Sequence, residues 1–364
     1  CYVYKIPPMT MAFTRVWRTG LAAIVVLVAG CISRPTKTVR VGAPATTSLK
    51  LFSLERPKEL QVHFIDVGQG DCTLVLLPSG KRLLVDCGSA GKGLSALAVR
   101  HYIKSVLPAD DPSIDVLVIT HADKDHYNLC SRVLGSPDAP EIRVGKVIVT
   151  DSIEAHSVSG TTDWLRGFDD NDVLIITDDS FNDGPVRRLP FLNEQSVSVL
   201  AANVKGDGKS NHRSIVLKIT HGDFDLMLAG DATSATDLVI LDRFNERLPF
   251  LDVELWKAAH HGAWATATQT RRWADVIKPE IVVYSSSFTN GFGHPSLDLA
   301  QLVRPYAIKA DRHTVRFRRG GGDKEDHIED KPFETLAHFL TSTNGTIVVT
   351  NWGDPAVVDV KISR

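Results

Sequence analysis

Between Asp111 and His126 the chain reads DPSIDVLVITHADKDH, and this stretch constrains the fold more than any other. Asp111-Pro112 is a turn signal. Val116-Leu117-Val118-Ile119 is a short, β-branched and apolar run that reads as a buried strand. His121, Asp123, Asp125 and His126 follow at once, all four able to bind metal. Asp and His are poor core residues, and crowded carboxylates repel one another unless a cation joins them. A loop past the C-terminal end of a strand is where open α/β sheets place their sites. The expectation is an α/β protein with a metal site at a strand end.

The pattern recurs downstream. A strand expected over 225–229 leads to Gly230-Asp231, one over 253–259 to His260-His261-Gly262, and one over 280–285 to a loop with Gly293-His294-Pro295. Several strand ends that each deliver ligating or acid/base groups point to a common site. Upstream, strands over 60–66, 73–77 and 82–85 are separated by the turns VGQGD and PSGK. They place Asp66, Asp71 and Asp86 at ends that could converge. Further strands are expected over 146–150, 173–177, 196–201 and 214–220. Helical spacing marks 95–106, 235–244, 266–274 and the stretch from Leu297. Asn344-Gly345, between Leu340 and the strand-like 347–350, is a hairpin signal. In residues 312–319 Val315 and Phe317 alternate with basic residues. That suits an edge strand protected by charge, or a basic face for nucleic acid. Residues 318–331 read as an exposed loop.

The chain is 43% hydrophobic and 23% charged, as soluble globular proteins are. A net charge of −2 gives no general basic field, so nucleic-acid binding would need a local patch. The start of the chain does not read as fold. A basic segment from Met11 to Arg18 precedes the apolar run LAAIVVLVA, which is too short to span a bilayer comfortably and ends at Val28-Ala29-Gly30-Cys31. This resembles the lipobox of bacterial lipoproteins, which implies export to the cell envelope with a membrane lipid anchor on Cys31. Residues 1–31 are therefore expected to be a signal segment and 32–58, rich in Pro, Thr, Ser and Lys, a tether. The folded domain is expected over 59–355 with an insertion at about 151–195, and 356–364 as a tail. Cys72, Cys87 and Cys130 lack CxxC spacing and read as small buried residues; a Cys72–Cys87 disulfide is the alternative.

The motifs HFIDVGQGD at 63–71, VDCG at 85–88, THADKDH at 120–126, Asn211 with Ser214, Gly230-Asp231, HHG at 260–262 and GHP at 293–295 resemble the metallo-β-lactamase superfamily. Within it they resemble the hydrolase domain of ComEC/Rec2 competence proteins and their stand-alone relatives. The resemblance implies an αββα sandwich of two mixed β-sheets flanked by helices, with one or two divalent ions at the common sheet edge. It implies His121, Asp123, Asp125, His126, Asp231, His260 and His261 as metal ligands, with Asp231 bridging. Asp125 would orient the attacking water, and His294 would complete the second site or protonate a leaving oxygen. Asp66, Asp71, Asp86, Asn211 and Lys257 would stand behind the ligands. Of these, Asp66 and Asp86 would fix imidazole tautomers. Lys257 could meet a phosphate or be an exposed strand residue. Neighbours on a strand point to opposite faces, so one of His260 and His261 would ligate if the strand continues through them, and both if a loop has begun.

Asp123 stands where a histidine is commoner in that superfamily, which makes the first site richer in oxygen. Mn becomes more plausible there, and Zn remains open. The expected function is a metal-dependent hydrolase, with a phosphodiesterase or nuclease acting on DNA or a nucleotide preferred. Hydrolysis of an ester, lactone or amide on the same scaffold, or a non-catalytic binding lipoprotein, are the alternatives.

Overall fold

The computed structural model describes residues 36–42 and 58–363, apart from 92, 178–186, 193, 195, 206–209, 265–269, 288, 308–312, 320–328 and 336. All of these fall in one compact unit, Pro35–Arg364. The expected signal segment and Cys31 lie outside the described residues. Among the described residues no helix is long and apolar enough to cross a membrane.

Two mixed sheets face one another. The nine-stranded sheet runs in the order Thr36–Gly42, Val357–Ser363, Thr346–Asn351, Leu60–Phe64, Thr73–Leu76, Arg82–Val85, Ser113–Ile119, Arg143–Val149, Val173–Ile175. Its pairs from Arg82–Val85 to Val173–Ile175 are parallel and the others antiparallel. The seven-stranded sheet runs Arg187–Arg188, Val197–Ala201, Val216–His221, Phe224–Leu228, Leu255–Lys257, Ile281–Tyr284, His338–Leu340. Its last three pairs are parallel.

Period-two alternation explains the layers. Leu83, Val85, Val116 and Val118 of one sheet meet Leu217, Ile219, Leu226 and Leu228 of the other in a central core. Their alternates turn outward. Leu84, Leu117 and Ile119 pack with Val99 and Ile103 of helix Ala96–Val106. Met227, Trp256 and Val282 pack with Ile240 and Phe244 of helix Ser234–Arg243 and with Trp273 of helix Arg271–Ile277. The result is the expected αββα sandwich. Strands buried on both faces read as continuous apolar runs, which is why 116–119 and 281–284 were legible.

Several boundaries differ from the sequence reading. Thr36–Gly42, expected within a tether, pairs antiparallel with Val357–Ser363, expected as a tail. Val357–Ser363 also pairs with Thr346–Asn351, so both segments belong to the nine-stranded sheet. Val358 and Val360 are buried in the central core, and that alternation is the reason the segment folds as a strand. The stretch 151–195 supplies edge strands to both sheets, Val173–Ile175 and Arg187–Arg188. Asn344-Gly345 does not close a hairpin. His338–Leu340 lies in the seven-stranded sheet and Thr346–Asn351 in the nine-stranded one, joined by the short helix Thr341–Asn344. The Gly345 φ of 73° reverses the chain between layers rather than within one. His313–Arg319 pairs with Glu329–Thr335, so the ends of the expected 318–331 loop are strand. Cys72, Cys87 and Cys130 are buried and free, without a Cys72–Cys87 disulfide.

Candidate metal centre

The common edge of the sheets is assembled from strand ends. Ile215 N–H donates to Thr120 O at 2.9 Å and ties the two sheets together there. The glycine turns make the approach possible. A Cβ on Gly88 would lie 2.3 Å from the carbonyl carbon of Asp125, so only glycine lets the VDCG turn reach the HADKDH loop. Asp71 N–H then donates to Asp125 O at 3.1 Å, and Cys87 N–H to His126 O at 2.8 Å.

Asp86, with φ 59°, is the organiser of the first histidines. It accepts from Thr120 N–H at 2.7 Å, from the Thr120 hydroxyl at 2.8 Å and from His126 Nδ1 at 2.8 Å. That bond assigns the His126 proton to Nδ1 and leaves Nε2 free to ligate. With its proton given to Asp86, Thr120 Oγ1 accepts from His121 Nδ1 at 3.1 Å, which frees His121 Nε2 in the same way. His261 Nδ1 donates to Ser285 O at 2.9 Å, with the same consequence.

The freed nitrogens converge on Asp231. Its carboxylate lies 3.2 Å from His126 Nε2, 3.5 Å from His261 Nε2, 3.7 Å from His260 Nε2 and 3.9 Å from His121 Nε2. Ser214 Oγ accepts the Asp231 N–H at 3.0 Å and fixes the turn. Asp125 Oδ2 is 3.4 Å from His261 Nε2, and Asp123 Oδ2 is 3.5 Å from His121 Nε2. Ligand atoms each about 2 Å from a shared ion can lie up to about 4 Å apart, so these spacings suit metal binding. Asp71, His126, Asp231 and His261 each offer an atom within 4.8 Å of the others. Nε2 of His121, His126 and His261, Oδ1 of Asp231 and Oδ1 of Asp71 are buried without a hydrogen-bond partner. Buried polar atoms rarely go unpaired, and divalent cations held between them would satisfy them.

The electrostatics agree. Burial works against the charged form of His126, yet the Asp231 and Asp86 carboxylates outweigh it and hold the imidazole well above its usual range. Burial likewise opposes charge on His261, and Asp231 and Asp125 raise it. Burial would raise Asp125, but the His261 hydrogen bond and the His126 and His261 charges hold it below the carboxylate range. The cluster thus gathers carboxylates that stay ionised and imidazoles that seek positive charge, which is the demand a metal ion meets.

Both His260 and His261 reach the site. The strand stops at Lys257, and the two histidines adopt φ 50° and 55° in a tight turn, so strand alternation no longer applies. His294 joins from the GHP loop, its ring centroid 5.2 Å from that of His260 and 6.4 Å from that of His261. Burial and the two neighbouring histidines lower its pKa to about 3, so it is a neutral imidazole at neutral pH. Neutrality suits a ligand or proton acceptor better than a cationic acid. Asn211 Nδ2 lies 3.4 Å from His260 Nε2. His212 is turned away, its Nδ1 2.6 Å from Thr233 Oγ1. Asp66 accepts from Gly68 N–H at 3.1 Å and so shapes the VGQG turn; the histidine-orienting contact belongs to Asp86.

Lys257 is buried behind the site and is not an exposed strand residue. Its ammonium is buried in an ion pair with Asp71 and donates to Gly230 O at 3.2 Å. Three contributors were missed. The Ser210 hydroxyl donates to Asp123 Oδ1 at 2.5 Å, and Thr120 bridges Asp86 and His121. Ser285 acts through a backbone carbonyl, which carries no residue-type signal. Thr120 was findable as the hydroxyl residue preceding the ligand run.

With this geometry established, the chain can be set beside known proteins. Residues 65–199 match the model of the metallo-beta-lactamase superfamily. The chain is 22% identical over 278 residues to ComE operon protein 3 of Bacillus subtilis (strain 168), covering 71% of this chain and 33% of that protein. It therefore spans about a third of the length of that relative. A diiron β-hydroxylase from Streptomyces venezuelae is similar at 20% identity and a TM-score of 0.40, over 69% of this chain and 51% of that one. The short form of human tRNase Z is similar at 13% identity and a TM-score of 0.40, over 63% of this chain and 93% of that one. Structural likenesses of this size carry no argument about chemistry. Over residues 65–199 the chain is thus similar to the metallo-beta-lactamase superfamily, and over most of its length it resembles a ComE operon protein.

Proposed function

We propose, for a chain that carries the metallo-β-lactamase hydrolase fold, that it is a metal-dependent phosphodiesterase. The observation that carries this is Asp231, whose carboxylate has four imidazole Nε2 atoms within 3.9 Å. His126, His261, Asp231 and Asp125 would hold one divalent ion. His121, His260 and Asp123 would hold a second, with Asp231 shared. Such ions, Mn or Zn, would when bound lower the pKa of a water towards neutrality and polarise a phosphoryl oxygen. Asp125, held ionised beside His261, would orient the attacking water. Asp86, Thr120 and Ser285 hold the imidazoles in the ligating tautomer. The oxygen-rich Asp123 position favours phosphoryl over β-lactam chemistry in this reading, and DNA or a nucleotide is the substrate class we favour. Purified protein is expected to hydrolyse bis(p-nitrophenyl) phosphate with added Mn²⁺ and to lose that activity as Asp125→Ala. Activity confined to lactones or esters, with every divalent metal tried, would refute the phosphodiester assignment.

We further propose export with lipidation at Cys31. Cys31→Ser is expected to abolish membrane partitioning of the expressed full chain; unchanged partitioning would refute the anchor.

A further inference from the structure

Two large aromatic side chains next to the ligating turns in the chain lie outside the core. Phe292 is 66% exposed and Trp264 is 41% exposed. Isolated exposed apolar residues are ordinary, but each of these two adjoins a ligating turn along the chain. Trp264 follows His260-His261-Gly262-Ala263, and Phe292 precedes Gly293-His294. Ser296 N–H donates to Gly262 O at 2.8 Å and joins the two loops. The Phe292 ring centroid is 5.8 Å from that of His294, whose ring is 5.2 Å from His260. Phe292 therefore stands next to the imidazoles and remains open to solvent.

Its loop is held still. Asn290 is buried and clamps the loop through both ends of its amide. Its Nδ2 donates to Ser287 O at 2.5 Å and to His294 O at 2.6 Å. Its Oδ1 accepts from Phe292 N–H at 3.0 Å and from His294 N–H at 3.1 Å. One side chain thus fixes the backbone of both the exposed ring and the buried imidazole. A rigid, solvent-facing aromatic loses little entropy when it binds a flat partner.

We propose that Phe292 and Trp264 form a stacking platform for nucleobases, so that the substrate is an unpaired, base-bearing phosphodiester strand. This rests on the phosphodiester reading above. The base would stack on the rim while the linked phosphodiester meets the histidine–carboxylate cluster. Every base has a π-face, so such a platform is tolerant of sequence. A duplex occupies those faces with its own stacking and would present them poorly.

The test uses the Asp125→Ala protein with added Mn²⁺ and fluorescence anisotropy. One probe is a labelled oligothymidylate; the other is an abasic phosphodiester strand of the same length. Oligothymidylate is expected to bind about tenfold or more tightly than the abasic strand, as ring-on-base stacking requires. Phe292→Ala and Trp264→Ala should each remove most of that preference and leave abasic binding unchanged. Phe292→Tyr should retain it. Equal binding of the two strands, no binding of either, or equal weakening of both by the alanine variants would overturn the platform. If that happens while the parent protein hydrolyses bis(p-nitrophenyl) phosphate, the hydrolase reading stands alone. Base-dependent binding without hydrolysis of any phosphodiester would instead sink the hydrolase reading and keep the platform.

Discussion

The two sides of Asp231 are built differently. On one side His126 and His261 have side chains at most 2% exposed and are held from behind by Asp86 and Ser285 O, the buried Asp71–Lys257 pair lies beneath them, and Asp125 is 20% exposed. On the other side, His121 is buried, but Asp123 is 42% and His260 29% exposed. Their supports are single contacts from Ser210 and Asn211. The closed side is preorganised, so ordering its ligands costs little at the moment of binding. The open side faces solvent through Asp123 and His260, the less restrained of its ligands. It should bind its ion more weakly and is the side where substrate oxygens can enter.

The largest expected effect breaks the closed side from beneath. Lys257→Met leaves Asp71 buried without its cation, and removing one partner of a buried pair costs about 3–5 kcal/mol. Thermal unfolding of metal-free protein should show the loss, and added Mn²⁺ or Zn²⁺ should restore part of it by supplying the missing charge. An unfolding midpoint equal to that of the parent would mean that the Lys257–Asp71 pair does not support the site.

Asp86→Asn tests the bracing of His126. Outer partners of metal-bound imidazoles are worth about 10–100-fold in metal affinity. Calorimetry should show that loss for the tighter ion and little change for the weaker one. A uniform weakening of both would remove the distinction between the sides.

Asp123→His sharpens the comparison at its open side. An imidazole there makes the ligand set less oxygen-rich, and Zn²⁺ affinity should rise by about tenfold, equivalent to about 1.4 kcal/mol. Competition with a chromophoric chelator measures this, and Mn²⁺ should gain less. No change in Zn²⁺ affinity would show that Asp123 does not ligate.

These contrasts also show how far the residues could be read directly. The strand ends and their ligands were legible because buried parallel strands are continuous apolar runs and the groups after them have no packing role. His126, Asp231 and His261 are such cases. The partner of Lys257 was not legible. A lysine beside a histidine pair gives no sign that it lies under the site rather than above it, since its partner Asp71 is 186 positions away. The role of Ser285 O could not be read from any side chain. Asn344-Gly345 misled because a positive-φ turn serves a crossover between sheets as well as a hairpin within one. Val357–Ser363 was missed at the end of the chain, although the buried Val358 and Val360 alternate as a strand should.

Asp231 is the residue on which both sides depend, and metal titration of chelator-stripped protein tests it most directly. The account predicts that the parent protein binds Mn²⁺ or Zn²⁺ in a tighter and a weaker step. It predicts that Asp231→Ala weakens both by at least about a hundredfold, or about 2.7 kcal/mol. Binding by Asp231→Ala as tight as that of the parent, or no divalent binding by the parent at all, would contradict it.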